Sequence, residues 1–277
     1  MSATAGPRKV AVITGASRGL GATLAGFLAG PGRDLVLVAR GSDDLERTAR
    51  SLRAVGGRVT TVVGDVADAA TRRESARAVE SLGRLDLLVN NASELGPSPR
   101  PELLELPLGE MERIYRVNVV AAVALVQALA GPLGRSRGTV VNISSDAALG
   151  GYPGWGGYGA SKAALDLVSL TLAHELSDRG ISVVAVDPGD LRTEMHQRAF
   201  PTEDISDRPL PDVTLPFWAW LLAQAPERVT GRRFRAQAES WEAGPSVPRS
   251  PPRSRPGWPP TAPRKSGGLR GTASGSW

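Results

Sequence analysis

The sequence predicts an α/β domain, a doubly wound parallel sheet of about seven strands with helices on both faces, followed by a disordered C-terminal tail. Three observations carry that expectation. Short β-branched apolar runs alternate with helical stretches from Lys9 onward, the pattern of repeated βα units. The runs are nearly continuous in apolar residues, as strands buried on both faces require. The chain's 277 residues suffice for one large domain with a substantial core.

The elements follow in order. Val10–Ile13 is the first strand, and Leu20–Ala29 the first helix, with apolar residues at spacings of three and four. Leu35–Ala39 and Val59–Val63 are the next strands, separated by a helix over Asp44–Val55, where Asp43 and Asp44 read as N-cap and first-turn acids. Ala69–Leu82 is helical, Leu85–Val89 a strand, Met111–Leu129 a long helix, and Thr139–Ile143 the fifth strand. Tyr158–Asp178 is the next helix, with His174 on its surface or at an interface, and Ile181–Val186 is the sixth strand. A short seventh strand lies near Arg232–Arg235, after the turn signal Thr230-Gly231. Between Thr193 and Trp220 the chain reads as a loop-and-helix lid restricted by four prolines. Its Phe200, Phe217, Trp218 and Trp220, with Trp155, either build an apolar pocket or pack as core and subunit contacts.

Composition excludes several classes. With no cysteine, the chain has no disulfide framework, thiolate zinc site, iron–sulfur cluster or cysteine nucleophile. His174 and His196 are too few and too far apart for a metal site, so no metal is expected; His196 stays open as a substrate contact. The opening residues lack the apolar run of a signal peptide, and runs such as Val119–Val126 fall far short of the roughly 20 residues that span a bilayer, so a soluble cytoplasmic protein is expected. The net charge is +5, but residues 243–277 hold six cations and no acid, and setting those aside leaves −1 for residues 1–242. The main argument for nucleic-acid binding thereby falls away. That same segment holds eight prolines and six glycines among its 35 residues and too few large apolar groups to offset ordering entropy. The division expected is a flexible N-terminus over 1–8, one domain over 9–242, and a Pro/Gly/Arg-rich disordered tail over 243–277.

Two local patterns carry chemistry. The first strand runs into Thr14-Gly15-Ala16-Ser17-Arg18-Gly19-Leu20-Gly21 and then a helix, a loop through which a pyrophosphate can approach a helix N-terminus. No acid ends the second strand; Arg40 stands there, and with Arg18 it can face a ribose 2′-phosphate, favouring NADP(H) over NAD(H). Tyr158 and Lys162, four residues apart, project from one helix face, and an ammonium there is expected to lower the tyrosine pKa for proton exchange with an alcohol or carbonyl oxygen. Ser145, at the carboxyl end of a strand, can hydrogen-bond that oxygen.

In these motifs the chain resembles the short-chain dehydrogenase/reductase family in its compact, single-domain, Rossmann-like form. The matching pieces are Thr14–Gly21, Asp65-Val66, Asn90-Asn91-Ala92, Asn118, Ser145, Tyr158 with Lys162, and Pro188-Gly189-Asp190-Leu191-Arg192-Thr193, in family order from residue 9 to about 235. The resemblance implies that Tyr158 is general acid in reduction and base in oxidation, with Lys162 also holding the nicotinamide ribose. It implies that Ser145 orients the substrate oxygen and that Asn118 anchors a water linking Lys162 to solvent. Gly15, Ser17, Arg18, Gly19, Leu20 and Gly21 would cradle the pyrophosphate side and Asp65 and Val66 the adenine. Asn91 and Ala92 would lie by the adenosine and ribose, and Pro188, Gly189, Leu191 and Thr193 by the carboxamide. Asn90 reads as a structural tie between strands. The chain departs from the family in two places. Ser93 stands where a glycine usually follows Asn-Asn-Ala, either crowding the cleft or donating a hydrogen bond, and the last strand runs into the Pro/Arg-rich tail.

The expected function is an NADP-dependent oxidoreductase acting on a small carbonyl or secondary-alcohol substrate, as a homodimer or homotetramer through the helices at 111–129 and 158–178. A cofactor-binding regulator and a nucleic-acid binder acting through the tail are the rival readings; the intact Ser145, Tyr158, Lys162 and Asn118 favour the enzyme.

Overall fold

The computed structural model describes residues 8–244; all but Arg8 of the expected flexible start over 1–8, and all but Ala243 and Gly244 of the expected tail over 243–277, lie outside the described residues. Seven strands form one all-parallel sheet: β1 (Lys9–Thr14), β2 (Arg33–Ala39), β3 (Arg58–Val63), β4 (Leu87–Asn90), β5 (Thr139–Ile143), β6 (Ser182–Asp187) and β7 (Arg233–Arg235). Their order is β3-β2-β1-β4-β5-β6-β7, so the chain winds outward from β1 in both directions and leaves a switch point between β1 and β4. This is the Rossmann-like sheet that the apolar runs predict, with every strand end within two residues of the expected one.

Alternation along the strands divides the core. Ala11, Ile13, Leu35 and Leu37 face one layer, containing α1 (Gly19–Leu28) and α2 (Ser42–Ala54). Val10, Val12, Val36 and Val38 face the other, with α3 (Ala69–Leu82) and the long helical run through 108–136. The cap of α2 is Gly41, without a side-chain bond, so Asp43 and Asp44 are both first-turn acids and neither is the N-cap. At the N-terminal side, Arg8 pairs with Asp34 at 2.7 Å.

The long helix expected over Met111–Leu129 is continuous but not uniform. It comprises α4 (Leu108–Tyr115), a π turn over Arg116–Val120, and α5 (Ala121–Ser136). Among the described residues this run is the one long and apolar enough to cross a membrane, yet half of its most apolar window is buried in the domain. Then come α6 (Gly156–Glu175), with His174 exposed, and three shorter helices, α7 (Glu194–Ala199), α8 (Leu215–Ala223) and α9 (Pro226–Val229).

The aromatic residues of the lid region divide in a way their spacing did not reveal. Phe217 and Trp218 are fully buried, and Trp220, Phe234 and Trp241 pack around Phe217 with ring centroids 5.4–5.9 Å away. They close the core under β6 and β7 and do not line a pocket. Ala243 packs against the same cluster, and the Gly244 N–H donates to the Arg228 carbonyl at 3.0 Å. Phe217→Ala should therefore cost about 3–5 kcal/mol in urea unfolding. Leu104→Ala, at a side chain 99% exposed, should stay within about 0.5 kcal/mol.

Candidate active site

A cavity of about 750 Å³ opens at the carboxyl ends of the strands, over the switch point. Every residue expected to act in catalysis or cofactor binding lines it except Gly21 and Asn118, and these two sit directly behind its wall. A smaller hollow of about 190 Å³ lies at the opposite, amino-terminal edge and contains none of them.

One wall is the loop from β1 to α1. Gly15 and Gly19 adopt φ of +65° and +54°, and a Cβ at Gly21 would run into the Gly15 carbonyl oxygen, so three glycines are required within seven residues. Thr14 Oγ accepts from the Asn91 and Ala92 N–H groups, both at 2.9 Å, while Asn91 Nδ2 donates to the Thr14 and Gly15 carbonyls at 2.9 and 3.2 Å. The loops after β1 and β4 are thereby laced together, and the Asn91 amide is occupied in doing so. Arg18, the N-cap of α1, offers no side-chain cap, which leaves the first N–H groups of the helix able to take an anion.

Toward the β2 edge, Arg40 and Arg18 both reach the cavity, each facing a carboxylate. Arg18 pairs with Glu194 of α7, and Arg40 lies 3.6 Å from Glu94. Glu94 is buried and also faces Arg113 at 3.6 Å and Arg198 at 3.9 Å. Asp65 Oδ1 accepts from the Ala67 N–H at 2.9 Å, and its other oxygen pairs with Arg113 at 3.2 Å.

The floor is built from α6, β5 and the π turn. Tyr158 and Lys162 share one face of α6 and are both buried, with Lys162 Nζ 5.4 Å from the phenol ring centroid. Lys162 Nζ donates to the Ile143 carbonyl at 2.8 Å; burial lowers its pKa to about 8, against the opposing pull of Asp166. Burial pushes the Tyr158 phenol up to about 12, with hydrogen bonds from Ser93 and Ser145 pulling it down and Asp187 and Asp146 adding to the rise. The expected lowering by the Lys162 ammonium is therefore corrected: the cost of burying a phenolate dominates, and the groups opposing that rise are two serine hydroxyls. Ser145 Oγ also accepts from the Ala147 N–H at 3.2 Å and donates to Asp146 Oδ1 at 3.0 Å.

Asn118 lies in the π turn, a distortion that often marks functional sites. Its Oδ1 accepts from the Glu94 N–H at 2.7 Å and from Ser93 Oγ at 3.1 Å. Its Nδ2 donates to the Glu94 carbonyl and to Ser161 Oγ, both at 2.9 Å. Asn90 Nδ2 donates to Asn142 Oδ1 at 2.8 Å, tying β4 to β5.

The family model described as short chain dehydrogenase matches residues 9–204. Gluconate 5-dehydrogenase of Gluconobacter oxydans is 33% identical over 199 residues, covering 71% of this chain and 77% of its own. The 3-oxoacyl-[acyl-carrier-protein] reductase of Synechocystis is 32% identical over 210 residues, covering 75% of this chain and 81% of its own. Among solved structures, a short chain dehydrogenase from Pseudomonas syringae superposes with a TM-score of 0.78 at 32% identity, over 86% of this chain and 99% of that one. One from Shigella flexneri, complexed with NADP, gives 0.75 at 30% identity over 83% and 97%. The chain belongs to the short-chain dehydrogenase family. It is thus a member of an oxidoreductase family that works with a nicotinamide cofactor.

On the open side of this short-chain dehydrogenase, Thr193 caps α7 by accepting from the His196 N–H at 3.2 Å. The His196 ring packs 4.9 Å from Phe200, and burial lowers its pKa, so it is neutral near pH 7. Trp155 lies 5.7 Å from Tyr158 and 5.9 Å from Phe200, with the Arg100 guanidinium 3.8 Å above its ring.

Sequence reasoning missed Arg233. From β7 it reaches Asp166 at 2.9 Å, the Ser145 carbonyl at 2.8 Å and Asp187 at 3.3 Å, bracing α6, β5 and β6 under the floor. Nothing local to the third-last strand residue signals such a partner set. It also missed Glu94, although a carboxylate directly after Asn-Asn-Ala-Ser was visible. Arg233→Ala leaves two largely buried carboxylates without their cation and should cost about 3–5 kcal/mol by denaturant titration. The companion Asp166→Asn in the same background should recover part of that loss.

Proposed function

We propose that this short-chain dehydrogenase is an NADP(H)-dependent carbonyl reductase or, in the reverse direction, secondary-alcohol dehydrogenase, working through Ser145, Tyr158, Lys162 and Asn118. The observation that carries the reading is a buried phenol and a buried ammonium on one face of α6, at the floor of the cleft that Ser145 also lines. A phenol with a pKa near 12 keeps its proton at neutral pH, which is the acid form that reduction needs.

The residues present fit the cofactor. The glycine cradle, which a Cβ would fill, and the uncapped start of α1 suit a pyrophosphate. Arg18 and Arg40 suit a 2′-phosphate, Asp65 and Val66 the adenine side, Ala92 and Asn91 the ribose side, and Pro188, Gly189, Leu191 and Thr193 the carboxamide end. When bound, the nicotinamide supplies or takes the hydride at the substrate carbon. Ser145 holds the substrate oxygen by donating its hydroxyl proton. Tyr158 gives that oxygen its proton in reduction and takes it back in oxidation. Lys162, with its ammonium anchored on the Ile143 carbonyl, holds the nicotinamide ribose and carries the replacement proton toward Tyr158. Asn118, whose side chain is engaged by Glu94 and Ser161, would anchor a water linking Lys162 to solvent. Trp155 and His196 form the substrate wall and suit an apolar ketone. A homodimer or homotetramer through the helical run at 111–129 and α6 accords with the exposed Val120, Leu167 and Leu170 on them.

The test is NADPH oxidation against a panel of ketones and aldehydes. Tyr158→Phe should lower kcat by about 10³-fold with little change in cofactor binding. Equal rates with and without the phenolic hydroxyl would overturn the mechanism. Arg40→Ala should raise the KM for NADPH by about 10-fold or more while leaving that for NADH within about twofold, since it removes a charged hydrogen bond to one phosphate.

A further inference from the structure

Three segments distant in sequence meet on one side of the cleft: the loop after β4, the turn before α6 that carries Trp155, and α7. Arg100, on the first, touches the other two. Its guanidinium carbon lies 3.8 Å from the Trp155 ring centroid and 4.8 Å from that of Phe200, and Nη1 donates to the Ala199 carbonyl. The last carbonyls of a helix have no partner within it. At the end of α7 the same loop supplies them, because Ser98 Oγ donates to the Arg198 carbonyl at 2.7 Å and Arg198 Nη2 donates back to the Gly96 carbonyl at 3.2 Å.

The cost of placing Arg100 there is visible. The residue is half-buried, and its Nε–H is buried without an acceptor. What holds the guanidinium is two aromatic faces and one carbonyl. A planar cation suits that task, since it stacks on a ring and forks to an oxygen at once.

We propose, on the reductase reading above, that Arg100 is a positioning residue for the substrate: acting through Trp155 and the end of α7, it fixes the width of the cleft beside Tyr158. Trp155 lines the cavity with its ring edge-on to Tyr158, 5.7 Å away, so the indole decides how near an apolar ketone lies to the phenol. Facing it, His196 and Ala199 of α7 line the same cavity, and the His196 ring rests 4.9 Å from Phe200. Arg100 joins these walls and is itself no part of the cavity lining, so it acts through its neighbours and not on the ketone. The cofactor side is built instead from the loops after β1, β2 and β3.

The experiment compares the full chain with Arg100→Met, Arg100→Lys, Trp155→Leu and the Arg100→Met/Trp155→Leu double variant. NADPH oxidation is followed with the ketone of the panel that the parent chain reduces best. In parallel, each chain is labelled with fluorotryptophan, and the Trp155 fluorine NMR line is identified as the one that Trp155→Leu removes. Arg100→Met should raise the KM for ketone by about tenfold, with kcat within about threefold and the KM for NADPH within about twofold. Its Trp155 line should shift. Arg100→Lys keeps the charge but has no plane to lay on the ring, so it should recover only part of the loss; a KM rise of about threefold there carries the test where Arg100→Met does not fold. Because Arg100 acts through Trp155, the double variant should be no worse than the more damaged single variant, within about twofold. An unchanged ketone KM in a folded Arg100→Met chain overturns the assignment. So does a KM for NADPH that rises in step, which marks general loosening, or a pair of KM effects that multiply in the double variant. A shifted Trp155 line in a chain that reduces no carbonyl compound supports the hold on the wall and overturns the reaction. An unmoved line and KM in a chain that reduces ketones overturn the hold and leave the reaction standing.

Discussion

A lysine ammonium 2% exposed imposes the organising constraint on this domain. Burying a cation is tolerable only where it finds oxygen and opposite charge. Lys162 has the Ile143 carbonyl at the end of β5 and Asp166 one turn further along α6. Asp166 in turn needs a cation, and Arg233 supplies it while reaching the Ser145 carbonyl and Asp187. The carboxyl ends of β5 and β6, the start of β7 and the face of α6 are thus parts of one electrostatic chain. The aromatic cluster around Phe217 backs that chain from below, so the last strand, only three residues long, is held by packing and charge more than by its ladder.

The phenol obeys a different rule. Desolvation favours the neutral form, and the structure counters it with hydroxyls, not with a close ammonium. The π turn brings the Asn118 amide to the loop after β4, where it satisfies both backbone groups of Glu94. The irregularity in the long helix is therefore what couples the β4 loop, through Ser93, to α6, through Ser161.

What could be read from the sequence was local and periodic. The βα alternation, the spacing of Gly15, Gly19 and Gly21, and the four-residue spacing of Tyr158 and Lys162 each express a constraint within one turn or one strand, so composition and period suffice. The rest depends on partners far along the chain. Arg233 meets Asp166 across 67 residues, and Ser93 meets Asn118 across 25. No period links such pairs. The aromatic residues of 217–220 look alike in sequence whether they face a substrate or a core, and only the placement of Phe234 and Trp241 decides it. The π turn was hidden for the opposite reason, because its residues continue the helical pattern without a proline or glycine to mark it.

The arginines of the cleft illustrate how burial ranks similar pairs. Arg18 and Glu194 are each about half exposed, and a pair so solvated contributes little to stability, so a stronger anion at Arg18 displaces it at small cost. Glu94 is different: with its side chain 10% exposed it cannot be left alone. Three guanidiniums share it, so drawing Arg40 toward a phosphate still leaves Arg113 and Arg198 in place. That redundancy lets the β2 edge exchange one ionic partner for another without exposing a bare buried carboxylate. It also ties the edge to the lid, because Arg198 belongs to α7, the helix that Arg18 grips through Glu194.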